Sequence, residues 1–371
     1  MFKNYRVRDY DFKLILMLIA ITIIGILAIG SAKESVQSRQ IMGFVLGLFL
    51  MFVLSFFDYS IFLRFYWIIY IVNIILLLAV QFFGENVNNA TRWLEIGGIQ
   101  FQPSELSKIM LILFYSQFIM KHRETINSFR NILLMILLLA PPLILIYEQP
   151  DMSTTIVIAV VFCVIWYVGG LDYKLILGVL CVTVPAIIII FIQVLQPDQT
   201  LINPYQQERI LAWLEPDKYA TTTAYQQTNA MMAIGSGQLW GKGLNNNVIS
   251  SVKNGNFISE AQTDFIFTIV GEELGFVGSC VVVSLLFLIT IECLIVARKA
   301  KDLAGTCICA GMAALVGFQS FVNISVATGL FPNTGVPLPF VSYGLTSLVS
   351  MYIGMGIVLN VRLQCIRKYN N

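Results

Sequence analysis

Ser259-Glu260-Ala261-Gln262-Thr263-Asp264-Phe265-Ile266-Phe267 runs on to Val270-Gly271-Glu272-Glu273-Leu274-Gly275 and marks a border between two kinds of chain. Behind it lies the longest polar segment, roughly Gln196 to Thr263. Ahead lies an apolar run that continues to about Ala297. One carboxylate, Asp264, sits where water gives way to lipid. An acid at a membrane boundary costs free energy unless it is paired or used, which makes Asp264 a candidate catalytic base. The alternative is an acid at a helix start that interacts with the helix dipole, and Thr263 is placed to cap such a helix. Continued as a helix at about 100° per residue, Glu272 falls roughly 80° from Asp264 and Glu273 roughly opposite. Glu272 is the better-placed companion, with Gly271 and Gly275 able to break the register.

The rest of the chain bears out a membrane reading. Hydrophobic residues make up 57% of the 371, charged residues 12%, and mean hydropathy is +0.79. A soluble domain of this length needs far more polar surface, so an all-α integral membrane protein is expected, one polytopic domain over residues 1–371. About ten transmembrane helices, each needing about 20 apolar residues, fit the chain. They fall near 12–32, 40–57, 62–83, 103–120, 131–149, 152–169, 173–195, 274–297, 304–327 and 344–363. The first run is followed by no small-residue cleavage site and reads as a retained span. With the N-terminus inside, Lys and Arg are in excess on the cytoplasmic side, from Lys3, Arg6 and Arg8 to Arg367 and Lys368. Both termini are then cytoplasmic. The segments 84–102, 196–263 and 328–343 face outward, the long extracytoplasmic loop 196–263 lying between spans 7 and 8.

Several chemistries are excluded. His122 is the sole histidine, so neither a His-dependent triad nor a multi-His metal site is available, and no metal-ligand set is assigned. Six of the seven cysteines lie in apolar runs and imply no disulfide framework. The net charge of +2, with no basic block, gives no sign of nucleic acid. Ala233-Ile234-Gly235-Ser236-Gly237 and Gly241-Lys242-Gly243 match no nucleotide fingerprint, and no organic cofactor is expected.

Polar constellations concentrate on the outer side. Asn88-Asn89-Ala90-Thr91-Arg92-Trp93-Leu94 precedes Gln102-Pro103-Ser104-Glu105-Leu106-Ser107-Lys108. Pro103 suits the first position of a helix, and Glu105 and Lys108 then share one face. They are either a structural ion pair or contacts to a substrate in a water-filled cavity. Arg92 and Trp93 are either an interfacial anchor or part of the same site. In the long loop, Arg209 follows Gln207-Glu208 and precedes Trp213. It is a surface charge or a fork for phosphate or pyrophosphate. Tyr225-Gln226-Gln227-Thr228-Asn229-Ala230 lies further on. Gly329 to Gly344 holds three prolines and no charge. It is an outer loop or a segment buried against protein that walls a cavity.

Together these stretches resemble one family, the shape, elongation, division and sporulation proteins that include RodA, FtsW and SpoVE. The resemblance rests on Ala90-Thr91-Arg92-Trp93-Leu94, Gln102 to Lys108, Gln227-Thr228-Asn229-Ala230, Gly241-Lys242-Gly243-Leu244, Glu260 to Phe267 and Pro337-Leu338-Pro339-Phe340-Val341-Ser342-Tyr343-Gly344, in that order. Short termini and Asn333 to Pro339 lean towards the RodA type. The sequence departs from the family pattern at Gln262, where members often have His, and at Leu345, where Gly is usual.

The resemblance implies a peptidoglycan glycosyltransferase of the bacterial cytoplasmic membrane that polymerises lipid II in elongation or division. Its partner would be a class B penicillin-binding protein. The family's catalytic aspartate corresponds to Asp264, its Glu–Lys pair to Glu105 and Lys108, and its outer-loop arginine to Arg209; Arg92, Trp93, Gln227 and Ser342 complete the expected substrate-binding set. A divalent cation, Mg or Mn, is one way to neutralise the pyrophosphate. Two readings of other classes stay open at this point: a lipid II flippase, and a non-catalytic scaffold for the penicillin-binding protein.

Overall fold

A computed structural model describes residues 10–87, 90–97, 99–196, 204–245, 258 and 260–365. Lys3, Arg6, Arg8, Asn88, Asn89, Ser259, Arg367 and Lys368, singled out above, lie outside the described residues. Helices dominate: α1 Phe12–Ala32, α2 Glu34–Phe56, α3 Tyr59–Arg64, α4 Tyr66–Phe83, α5 Pro103–Lys121, α6 Phe129–Glu148, α7 Met152–Val168 and α8 Tyr173–Val194. They continue with α9 Pro204–Leu214, α10 Tyr225–Ser236, α11 Ile266–Lys299, α12 Leu303–Ala327 and α13 Leu345–Leu363. Seven of the described helices, α1, α2, α4, α6, α11, α12 and α13, are long and apolar enough to cross a membrane, and α7 is a shorter apolar helix. The chain is a multi-pass membrane protein.

The expected spans meet the helices closely, and the differences have local causes. The third span is broken at Phe65 into α3 and α4, because that residue leaves helical geometry (φ −100, ψ 24). α5 starts at Pro103, whose missing N–H is no loss in a first turn. The span expected from residue 274 belongs to the longer α11, and the discrepancy has a cause one residue on. Gly275 leaves helical geometry (φ 66, ψ −163) inside α11. The N–H groups of Phe276 and Val277 donate instead to the carbonyls of Gln238 and Leu239, at 2.8 and 3.2 Å. The backbones touch there: a Cβ on Gly241 would lie 2.2 Å from the Glu273 carbonyl oxygen. Gly241-Lys242-Gly243 is therefore a close-packing motif.

Strands are the element that the all-α reading did not contain. β1 Glu85–Val87, β2 Ala90–Ile96 and β3 Ile99–Phe101 form a small antiparallel sheet in the order β1-β2-β3. Trp93 pairs with Glu85, and Leu94 with Phe101. The core sits where α5, α12 and α13 meet. These helices carry most of their side chains inward, with α2 along α13 and α11 along α12. The polar constellations gather on one face of the bundle, called here the loop face.

Candidate functional site

Asp264 does not begin a helix. It lies in the turn Glu260–Phe265, and α11 starts two residues later. Thr263 does not cap α11 either, since its hydroxyl donates to the Glu260 carbonyl at 2.9 Å. Glu272 is no companion of Asp264: it forms an ion pair with Lys242 at 2.8 Å. The backbone of the Asp264 turn is instead tied down by side chains from afar. Ser342 Oγ donates to the Thr263 carbonyl at 2.7 Å, and Asn323 Nδ2 to the Asp264 carbonyl at 2.8 Å. The Tyr343 N–H donates to the Gln262 carbonyl, and Gln262 Nε2 donates to Glu260 Oε2 at 2.6 Å.

The segment Gly329 to Tyr343 packs over this turn, as a segment buried against protein rather than a plain loop. Val336, Leu338, Phe340 and Val341 are buried. Gly335 (φ 75) faces the carboxylate: a Cβ there would lie 3.3 Å from Asp264 Oδ2. Positive φ and close approach together make glycine the residue for this position. The segment is held along its length. Ser153 Oγ donates to the Thr334 carbonyl, Asn323 Nδ2 to that of Val336 at 2.7 Å, and the Leu338 N–H to Ser342 Oγ at 2.7 Å.

Two arginines from different elements act on the site. α9 carries Arg209, whose Nη1 donates to the Asn333 carbonyl at 3.2 Å. One turn on, Trp213 Nε1 donates to the Gly329 carbonyl at 3.0 Å. Arg209 is thus docked on the Pro-rich segment, a helix residue rather than a loop charge. Arg92 projects from β2, with Nε donating to the Gln149 carbonyl at 3.0 Å and Nη2 to that of Pro150. Alternation along β2 turns Trp93 to the opposite face from Arg92. Burial pushes the Asp264 carboxyl up from 3.8 to about 6. Arg209 and Arg92 pull it back, and Glu260 and Asp151 add to the rise.

Four other residues of the expected set, Glu105, Lys108, Gln227 and Ser342, are bonded within the protein. Glu105 and Lys108 form an ion pair at 2.8 Å, 3% and 2% exposed, and Lys108 Nζ also donates to Gln319 Oε1 at 3.4 Å. Gln227 Nε2 donates to the carbonyls of Val326 and Phe331 at 2.8 and 2.7 Å. Ser342 has both hydroxyl roles filled by backbone. The geometry makes braces of Gln227 and Ser342, because their donors are turned to protein. Among the described residues no three His, Cys, Asp or Glu side chains group into a metal site.

With this arrangement in view, comparisons with known proteins are decisive for the family. The family model described as cell cycle protein, FtsW/RodA/SpoVE, matches residues 10–365. The chain belongs to the FtsW/RodA/SpoVE family. It is 34% identical to the peptidoglycan glycosyltransferase MrdB of Escherichia coli K12, over 95% of this chain and 93% of that protein. It is also 34% identical to a probable peptidoglycan glycosyltransferase FtsW of Nitrosomonas europaea, over 78% of this chain and 73% of that one. Among solved structures, it resembles a chain of a peptidoglycan synthase complex that coordinates polymerization and crosslinking (TM-score 0.77, 28% identity, 95% and 97% coverage). The Thermus thermophilus rod shape determining protein RodA is similar too (TM-score 0.70, 27% identity, 98% of each chain).

The family match spans every residue of the site. Four of them escaped sequence reasoning: Asn323, Gln319, Gly335 and Asp151. Gln319 and Asn323 did leave a signal. They are four residues apart in a largely apolar run, a polar stripe within a span, and such stripes face protein partners.

Proposed function

We propose that this chain polymerises lipid II into β-1,4 glycan strands as a peptidoglycan glycosyltransferase, with Asp264 as the general base. The observation that carries the mechanism is the half-buried Asp264 carboxyl, raised to about 6 and flanked by Arg209 and Arg92. A base works best when its pKa lies near the operating pH. The acceptor is the 4-hydroxyl of the N-acetylglucosamine of an incoming lipid II. The electrophile is C1 of the N-acetylmuramic acid at the end of the growing chain, linked to undecaprenyl pyrophosphate. Asp264 takes the hydroxyl proton as the oxygen attacks C1. The C1–O bond to pyrophosphate breaks, and its electron pair leaves on the phosphate oxygen. A single displacement inverts the α-linked donor to a β product and needs no carboxylate nucleophile.

The leaving pyrophosphate calls for fixed positive charge, and Arg209 and Arg92 supply it. Both are preorganised by backbone carbonyls, so little reorganisation is needed as charge develops. Glu105 and Lys108 support this site through α12, by way of Gln319. Among the described residues no three His, Cys, Asp or Glu side chains form a cation cage, so a divalent cation, Mg or Mn, would accompany the pyrophosphate itself.

The loop face is the outer face of the cytoplasmic membrane in this reading, both termini are cytoplasmic, and residues 1–371 act as one polytopic unit. A class B penicillin-binding protein crosslinks the product, within the elongation or division machinery. The structural likeness to the synthase complex and the identity to MrdB support the partner and favour the RodA type.

The test is polymerisation of lipid II by purified wild type and Asp264→Asn, each with and without a class B penicillin-binding protein. Glycan chains from wild type, lost in a folded and partner-binding Asp264→Asn, are expected. Equal polymer from both proteins would move the base elsewhere. No polymer from either, even with partner, would restore the flippase and scaffold readings.

A further inference from the structure

Asn323 is an amide inside an apolar span, 1% exposed. Leucine would be the cheaper residue at such a depth, because a buried amide costs free energy unless its groups are bonded. Both hydrogen bonds of its nitrogen go to one joint in the structure. Nδ2 donates to the Asp264 carbonyl at 2.8 Å and to the Val336 carbonyl at 2.7 Å. Val336 follows Gly335, the residue packed against Asp264 Oδ2. One side chain thus holds the residue that bears the carboxylate and the residue next to the wall that closes over it.

The need for such a clamp follows from local structure. Asp264 lies in a turn, before the first residue of α11, so no helical ladder satisfies its carbonyl. A buried carbonyl requires a donor. Thr263 receives one from Ser342, and Asp264 receives one from Asn323. Removal of the Asn323 donor leaves two carbonyls of different segments unsatisfied and facing each other. They separate to find water, and the spacing between Asp264 and Gly335 opens with them.

We propose that Asn323 is a positioning residue: it pins the Asp264 turn to the Gly335–Val336 wall and thereby sets where the base stands relative to the acceptor hydroxyl. It touches no substrate and acts through Asp264, so the inference rests on Asp264 being the base. Helix α12 gains a purpose from this. Its Gln319 reaches Lys108 of α5, and its Asn323, one turn further, reaches the turn before α11 and the Pro-rich segment. A single rigid span references the base to the core.

The experiment uses the full-length protein with its class B partner, and follows kcat, KM for lipid II, the pH profile of kcat and thermal stability. Asn323→Ala, Asn323→Ser and Asn73→Ala are compared with wild type. Asn73 is a buried amide of α4 outside the site and serves as control. A misplacement of about 1 Å costs on the order of 100-fold in rate, so Asn323→Ala is expected to lower kcat about 100-fold with little change in KM. The acid limb of kcat is expected to move to lower pH. An unpinned turn admits water to Asp264, which weakens the burial that holds its carboxyl up, while Arg209 and Arg92 still pull it down against Glu260 and Asp151. Asn323→Ser keeps one donor and should fall between wild type and Ala, with a smaller limb shift, and it decides the matter if Ala does not fold. Asn73→Ala should keep wild-type kcat per folded molecule. Loss of activity in step with loss of folded protein, with an unmoved acid limb, would make Asn323 a packing residue and overturn the proposal. Failure of the base assignment looks different: Asp264→Asn would then turn over normally, whatever the Asn323 variants do.

Discussion

Two groups of charges are sunk into this bundle, and they are held in opposite ways. Glu105 and Lys108 touch at 2.8 Å in the core between α5 and α12, and Gln319 takes up part of the remaining capacity of the lysine. At Asp264 the balance is different. The guanidinium groups of Arg209 and Arg92 are anchored on backbone carbonyls, and their pull on the carboxyl is outweighed by its burial. A charge met by its counterion at contact distance is spent on holding the fold. A carboxyl held above its ordinary range can gain and lose a proton near neutral pH. The first arrangement builds a bundle, and the second can run a reaction.

The comparison breaks most visibly at Asp264. Loss of general-base catalysis costs about 10²- to 10⁴-fold, and Asp264→Asn should lower kcat by that order while binding of lipid II survives. Its stability should move the other way. A carboxyl whose folded pKa is raised destabilises the fold once it ionises, so Asp264→Asn is expected to melt at a higher temperature than wild type at neutral pH. For the same reason the acid limb of kcat/KM in wild type should lie near 6, with activity lost as pH falls through that value and Asp264 becomes protonated. A limb near the ordinary value of 3.8 would show that burial does not govern this carboxyl.

Next in size is the damage from splitting the contact pair. Lys108→Met strands Glu105 in the core, and loss of one partner of a buried pair costs about 3–5 kcal/mol. Thermal unfolding should show it directly. Glu105→Gln combined with Lys108→Met should recover much of that stability, because no charge is left unpaired. If the single variant is stable but inactive, the pair belongs with the site rather than the scaffold. Arg209→Lys sharpens the other half of the contrast. It keeps the charge and loses the fork, and a bidentate role for the arginine predicts a fall in kcat nearer tenfold than the full loss of a preorganised donor. An unchanged kcat would reduce Arg209 to a brace for the Pro-rich segment. The smallest effect belongs to a divalent cation, proposed as a companion of the pyrophosphate. Chelation should lower kcat a few-fold, with recovery on adding Mg²⁺ or Mn²⁺. No change would remove the ion from the reading.

Much of this architecture is legible in the sequence because lipid imposes a simple rule on it. Apolar runs of sufficient length mark α1, α2, α6, α12 and α13 with little ambiguity, and an acid at a polar-apolar border draws attention to Asp264. Helical spacing also pairs Glu105 with Lys108. Other features are invisible along the chain because they join distant segments. Arg92 enters from a strand that no apolar pattern announces. The Asp264 turn is fixed by Ser342 and Asn323, which lie far along the sequence. Glu272 looks like a companion of Asp264 only while α11 is imagined as starting ahead of it, and the turn at Asp264 removes that geometry. Periodicity describes what one element buries. It does not say which remote side chain will satisfy a carbonyl where an element ends.

The break at Gly275 has one more consequence. Phe276 and Val277 belong to a span, yet their N–H groups are bonded to Gln238 and Leu239, beyond the end of α10. In a hydrogen-exchange experiment these two amides would report the docking of the loop, while those deeper in α11 would report the helix. A partner or substrate that lifts the loop would be seen first as faster deuterium uptake inside α11, at the start of its membrane span.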